Sequence, residues 1–255
     1  MTDTRDWDAA SYERVAAPVE AFGQRLLDGL ELRGDEVLLD AGCGAGGVTR
    51  LLVEGVPRGR VIGVDASPSM VAAARAAVGE VADIRRADLT ELELEEPVDV
   101  VFSSATLHWI ADHDRLFARL FAALRPGGRL LAQCGGEGNI AAVVDVLGRA
   151  MREPPFAQHF AGWVGPWNFA GPEETVARLE RAGFVDARAR LHTEPVRSEK
   201  PHEYMTTMIL GAHLDRLPAE LRDDFVTRVL SELSDPPTIE YMRLTMSARR
   251  PAPAA

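Results

Sequence analysis

Residues Leu38 to Gly47 read LLDAGCGAGG: an apolar run, an acid, then glycines at 42, 44, 46 and 47. An apolar run that gives way to glycine fits a buried strand feeding a tight turn into a helix. Gly42, Gly44 and Gly47 match the spacing G-x-G-x-x-G, in which bare backbone can approach a nucleotide closely. In open α/β sheets the ligand lies beyond the carboxyl ends of the strands, where this turn falls. The motif by itself leaves the choice of cofactor open.

Three acids narrow it. Asp40 stands two residues before the first glycine, where a carboxylate would repel a pyrophosphate by roughly a few kcal/mol at short range. Beside a ligand ammonium the same charge is favourable, so the ligand is expected to be positive near the loop. S-adenosylmethionine, with its ammonium and sulfonium, meets that condition. Asp65 closes the next apolar run, VIGVD, and can accept both hydroxyls of a ribose, a contact that NAD enzymes share. Asp88 ends ADIRRAD, where a carboxylate suits an adenine amino group with Leu89 against the ring; acids also end strands as helix caps.

Composition sets the wider limits. The chain has 255 residues, 46% of them hydrophobic, which is ordinary for a globular domain. Lys and Arg number 28 against 39 Asp and Glu, a net charge of −11, so DNA, RNA and anionic membranes are not expected as partners. Cys43 and Cys134 are the two cysteines. They have no metal-ligand spacing, so neither a disulfide framework nor a metal site is expected. The polar N-terminus is unlike a secretory signal, and no apolar run approaches the ~20 residues that cross a bilayer. A cytoplasmic monomer or homodimer is the expectation.

Helical spacing of Val15, Val19, Phe22, Leu26, Leu27 and Leu30 predicts a helical N-terminal cover over residues 1–34. The segments 36–40, 60–65, 82–88, 98–104 and 127–134 read as strands, with helices over 46–54, 68–78 and 112–124 between them. Repeated β-α units predict a doubly wound, mostly parallel sheet over residues 35–134. A helix over 173–182 and strands over 184–192 and 239–247 bring the count to seven. Helices are also expected over 140–151, 201–214 and 219–233. The stretches 135–171 and 195–236 read as acceptor-side inserts of one domain spanning 1–255.

The segments VLLDAGCGAGGVTRLL, VIGVDASPSMVAAAR, ADLTEL, VDVVFSSATLHWI and LFARLFAALRPGGRLLAQ together resemble the class I S-adenosylmethionine-dependent methyltransferases. Their order, with the leading DWDAASYERVA and closing YMRLTMSARR, is most similar to the trans-aconitate methyltransferase group. The resemblance implies a Rossmann-like methyltransferase fold. It places Asp40, Ala41, Gly42 and Gly44 at the methionine end of the cofactor and Asp65 at the ribose. Ala66 and Met70 would flank the adenine, Asp88 and Leu89 would lie at its edge, and Ser104 and Ala105 would approach the sulfonium. LRPGG would be the turn into the fifth strand.

Methyl transfer needs alignment and exclusion of water, and a base only where the acceptor is not already ionised. His108 is the candidate base, or else orients the acceptor; His113, after Asp112, suits a helix start. Tyr12, in the N-terminal segment, and Trp109 are candidate walls. Trp163 and Trp167, in the aromatic insert from Phe156 to Phe169, are candidates for an apolar acceptor pocket or for a staple. Arg197 or Arg243 could hold a carboxylate. The expected reaction is methyl transfer to oxygen of a small molecule, carboxylate or hydroxyl. The alternatives are transfer to carbon or nitrogen, an NAD(P)-dependent oxidoreductase, and a non-catalytic cofactor-binding protein. The aromatic insert departs from what a tricarboxylic acceptor would call for.

Overall fold

A computed structural model describes residues 5–234 and 236–253; the expected domain limits at residues 1 and 255 lie outside them. Seven strands form one sheet: β1 (Val37–Ala41), β2 (Arg60–Asp65), β3 (Asp83–Arg86), β4 (Val98–Ser104), β5 (Leu124–Gly135), β6 (Val185–Arg197) and β7 (Thr238–Arg249). Their order is β3-β2-β1-β4-β5-β7-β6. β1 to β5 are parallel, and β7 runs against both neighbours. The expected doubly wound, mostly parallel seven-stranded sheet is therefore present.

Strand residues alternate between two apolar layers, as a sheet covered on both faces requires. Leu39, Ile62, Val64, Val101 and Leu130 face one layer with Leu116, Phe117 and Leu120 of α5 (His113–Ala123). Leu38, Val61, Val100 and Phe102 face the other, with Leu26 of α2 (Ala17–Asp28) and Leu52 of α3 (Gly47–Gly55). α4 (Pro68–Val78) starts on a Ser67 cap and packs Val71, Ala74 and Val78 beside Ile84 of β3. A further apolar cluster lies under the inserts. It joins α6 (Ala141–Ala150) with Phe156, Phe160 and Tyr241; α7 (Pro172–Arg181) instead packs Leu179 into the β-sheet core.

Several boundaries differ from the sequence expectation; the strand expected over 184–192 runs on as β6 to Arg197, into the expected insert. The N-terminal helix is two pieces, α1 (Ala9–Glu13) and α2, because Pro18 opens the second helix and cannot sit inside a first. LRPGG is not a free turn: β5 begins at Leu124, and the irregularity is absorbed in the strand, with a register shift between Val98 and Val100 and Gly127 at φ +79°. The helix expected over 201–214 breaks into α8 (Pro201–Tyr204), a π turn (Met205–Ile209) and α9 (Gly211–Leu214). At Gly211 a Cβ would lie 2.0 Å from Arg5 Nη2, so that guanidinium passes where a side chain would have been. The chain then enters α10 (Ala219–Leu230).

Leu120 is fully buried between α5 and the sheet. Leu120→Ala is expected to lower the unfolding free energy by about 2–5 kcal/mol, read from denaturant midpoints at constant m.

Candidate functional site

The loop after β1 is held from two sides. Val64 O accepts the N–H groups of Gly42 (2.8 Å) and Cys43 (3.0 Å). Ser103 Oγ donates to Ala41 O (2.6 Å), and Thr106 Oγ1 donates to Gly42 O (3.2 Å). The glycines have different reasons. A Cβ at Gly42, where φ is +87°, would lie 2.1 Å from Thr106 Oγ1, and one at Gly47 would lie 2.2 Å from Glu20 Oε1. Gly44, at φ +52°, has open space where its Cβ would be. Gly44 is thus the position at which backbone is bare toward a ligand.

Asp40 is buried, and its carboxylate accepts a hydrogen bond from Thr49 Oγ1 (2.7 Å). Burial, with the Asp65 charge adding to it, pushes its pKa up to about 7. Asp65 sits at the end of β2, and its oxygens accept Gly44 N–H (3.0 Å) and Ser67 N–H (2.9 Å). Burial raises its pKa as well. Each oxygen keeps a lone pair after these bonds. Asp88 Oδ1 accepts both the N–H and the hydroxyl of Thr90, at 2.8 Å each, so the acid turns the chain after β3. The Leu89 and Ala41 side chains are in the main core, which leaves only their backbone for any ligand. Met70 is buried on α4, while Ala66 is partly exposed beside Asp65. Past β4, Ala105 has a left-handed φ of +59° with its N–H on Gln133 O (2.8 Å), and Ser104 Oγ is buried without a partner. A non-glycine residue in that conformation, next to an orphaned hydroxyl, marks a strained functional rim.

The N-terminal segment lies over this rim. Asp6 accepts Ser67 Oγ (2.6 Å) and Ser69 N–H (3.0 Å), and Trp7 N–H donates to Ser67 Oγ (3.1 Å). Trp7 packs edge-on against Tyr12 (6.1 Å) and Trp109 (5.2 Å). Burial raises the Tyr12 phenol pKa far above its ordinary value. The aromatic segment thus joins the cofactor rim to the acceptor side.

His108 is buried, and its Nδ1 accepts Gly135 N–H (3.3 Å), which leaves the proton on Nε2. Burial, reinforced by the Arg243 cation, lowers its pKa to about 3, so the ring is a neutral donor. Its plane stacks on Phe169 (5.8 Å), which stacks on Trp167 (5.4 Å). Trp109 meets both His108 (5.2 Å) and Trp167 (6.0 Å). Trp163 reaches this wall only through His213, which packs on both Trp163 (4.8 Å) and Trp167 (5.2 Å); Trp163 itself stacks on Phe160 beside Phe225. His113 is no exposed cap: it is buried, with Nε2 on Leu107 O (3.0 Å) and Nδ1 near Arg178 (3.1 Å).

Sequence alone left two arginines open, and burial separates them. Arg197 is exposed on β6 against Thr238 Oγ1. Arg243, paired across β7 with Gly135, is 2% exposed. Its Nε donates to Gln133 Oε1 (3.2 Å), its guanidinium lies 4.5 Å over the Phe22 ring, and Nη2 has no partner. Among the described residues no carboxylate forms an ion pair with it. Glu20, Ser67 and Thr106 were missed by sequence reasoning, because they meet Gly47, Asp6 and Gly42 across distant parts of the chain.

The chain matches the family described as methyltransferase domain over residues 39–132. It is 32% identical to a trans-aconitate 2-methyltransferase of Methylobacterium nodulans over 96% of this chain and 98% of that one. The chain belongs to the methyltransferase family. An uncharacterised methyltransferase of Schizosaccharomyces pombe is 33% identical over 70% of each chain. The fold superposes on the YcgJ protein of Bacillus subtilis with a TM-score of 0.64 at 16% identity, covering 91% of this chain and 98% of that one. An S-adenosylmethionine-dependent methyltransferase of Mesorhizobium loti is 25% identical, with a TM-score of 0.53 over 89% of this chain and 96% of that one. The protein is an S-adenosylmethionine-dependent methyltransferase, and among the described residues no helix is long and apolar enough to cross a membrane.

A carboxyl group whose folded pKa is raised stabilises the fold only while protonated; that contribution is whole below its unfolded pKa and is lost as pH rises through about 7. Asp40→Asn keeps an acceptor for Thr49 and removes the titration. The variant is expected to gain on the parent by about 2–4 kcal/mol in unfolding free energy between pH 4 and pH 8, measured without cofactor.

Proposed function

We propose that this methyltransferase esterifies a carboxylate of a small organic acid, with Arg243 holding the acid. The observation that carries the reading is the buried guanidinium without a carboxylate. Few charges are kept fully buried unless a partner meets them, and a bidentate carboxylate is the partner that a guanidinium fork fits. The similarity to a trans-aconitate 2-methyltransferase of Methylobacterium nodulans agrees with a carboxyl acceptor.

The cofactor side suits S-adenosylmethionine on this chain's own features: open backbone at Gly44, an orphaned Ser104 hydroxyl, and two acids, Asp40 buried and Asp65 half-buried. Asp65, oriented by Gly44 and Ser67, takes the ribose diol with its remaining lone pairs. Asp40 supplies negative potential beneath the loop, and a nearby cation returns it to the ionised form. Ala66, Asp88 and the backbone of Leu89 border the adenine. When bound, S-adenosylmethionine would supply an electrophilic methyl group: the acceptor oxygen would form the new O–CH3 bond as the S–CH3 bond broke, leaving a neutral thioether. The protein's remaining tasks are to aim the acid and exclude water. Arg243 and the Nε2–H of His108 aim it; Tyr12, Trp109 and the aromatic wall exclude water.

His108 is assigned as a donor, not a base. Its Nδ1 lone pair is engaged by Gly135, and a pKa near 3 is far from the operating pH that general-base catalysis favours. A carboxylate acceptor needs no base, so the two assignments support one another.

Asp65→Ala is expected to weaken S-adenosylhomocysteine binding by about tenfold or more with the fold intact, read by calorimetry and circular dichroism. Arg243→Met should raise KM for a carboxylate acceptor by about 100-fold with cofactor affinity unchanged, and raise Tm by removing an unpaired buried charge. In the parent enzyme kcat on the acid should be flat over roughly pH 6 to 9, since His108 stays neutral throughout. A rise in kcat through a histidine-like pKa would defeat the donor assignment.

A further inference from the structure

Arg243 is aimed by a neutral group. Its cross-strand neighbour on β5, Gly135, offers no side chain, so the partner comes diagonally from Gln133, which pairs with Thr245 and is 4% exposed. A guanidinium has only donors, so Gln133 Oε1 must be the atom that meets Arg243 Nε (3.2 Å). Gln133 Nε2 then donates to Thr245 Oγ1 (3.1 Å). Both ends of the amide are engaged, and with the Phe22 ring 4.5 Å from the guanidinium this fixes the plane of the fork. Nε is committed to Gln133, while Nη2 has no partner and remains for a ligand. The Gln133 carbonyl also accepts the Ala105 N–H (2.8 Å), so one residue joins the rim past β4 to the buried cation.

We infer that Gln133 is a positioning residue that sets the preference for an anionic acceptor: its amide orients Arg243 without neutralising it. This rests on the carboxyl-methylation reading above and names a residue through which that site works. Each neighbour of the amide could serve a carboxylate equally well. Arg243 Nε would donate to it, Thr245 Oγ1 can donate as readily as accept, and His192 Nε2 lies 3.5 Å away. Hydrogen bonding and shape therefore do not separate glutamine from the nearly isosteric glutamate; charge does. A glutamate there would form a buried ion pair and leave little net charge for an acid to meet. Glu194, which pairs with Tyr241 two residues along β7 and so shares the face of Arg243, is taken up by Arg25 and by His192 (3.0 Å).

Gln133→Glu and Gln133→Leu test this in the whole enzyme, with S-adenosylmethionine and with trans-aconitate as the carboxylate probe. Gln133→Glu should raise KM for trans-aconitate at least about 30-fold, with kcat within about threefold and S-adenosylhomocysteine affinity unchanged. Gln133→Leu leaves the charge but frees the guanidinium, and should raise KM by less than Gln133→Glu does. Equal losses in both variants, or a fall in kcat and cofactor affinity alike, would mark a structural role and overturn the assignment. If Arg243→Met raises KM and Gln133→Glu does not, the Gln133 assignment fails alone; if Arg243→Met leaves KM unchanged, the carboxyl reading fails with it. Thermal unfolding decides the matter where trans-aconitate is not turned over. Gln133→Glu should raise Tm by about 3 °C or more in the parent, and lower it when Arg243 is already replaced by Met. No gain in the parent, or a gain in both backgrounds, overturns the inference.

Discussion

The contact between the end of β1 and the end of β4 governs the site. The backbone at Gly42 passes so close to Thr106 that a Cβ would sit 2.1 Å from its hydroxyl, while Ser103 and Thr106 bind the carbonyls of Ala41 and Gly42. β1 and β4 are adjacent in the sheet although β2 and β3 lie between them in sequence, so the chain reverses its winding direction there. That reversal opens a crevice at the strand ends. The hydroxyl ties hold its two lips in register, and Ala105 takes a left-handed conformation to continue past it.

Charge is divided across that crevice. Asp40 and Asp65 lie under and beside the loop on the β1–β2 side, both made harder to ionise by burial. Arg243 lies on the β5–β7 side, made harder to keep charged by the same cause. Each set is costly alone and is relieved by a ligand of opposite sign. A reaction that joins a cation and an anion into neutral products runs better out of water, where the charges are less stabilised. The aromatic faces of Trp7, Trp109, Trp167 and Phe169 provide such surroundings around His108.

The sheet and the cofactor rim were legible because local signals encode them. Apolar runs give strands, and Asp40, Gly44 and Asp65 stand at strand ends within one stretch of chain. The glycine spacing was legible as a motif but not in its parts: Gly42 serves Thr106, Gly47 serves Glu20, and only Gly44 faces open space. The acceptor side was less legible. The sequence placed Arg197 in an insert and Arg243 in a strand without telling which is buried; β6 in fact runs on to Arg197 at the outer edge and exposes it, while pairing of β7 with β5 buries Arg243. Trp163 and Trp167 are four residues apart, yet the irregular loop stacks one on Phe160 and sets the other against Trp109, with His213 between them. Leu89 was expected at the adenine edge; the turn set by Asp88 and Thr90 directs its side chain into the core and leaves only its backbone for that contact.

The N-terminal segment links the two oppositely charged sides of the crevice. Asp6 and Trp7 bind Ser67 and Ser69, which follow Asp65. In the same ten residues Arg5 pairs with Asp215 and Arg14 with Glu203, on the helices that cover the acceptor side. Exposed ion pairs of this kind contribute little each, about 0.2–1 kcal/mol, so the segment is held chiefly by its hydrogen bonds to Ser67 and Ser69 and by Trp7 packing on Trp109. One short stretch therefore touches the loop after β2, the aromatic wall beside His108 and the cover formed by α8 and α9.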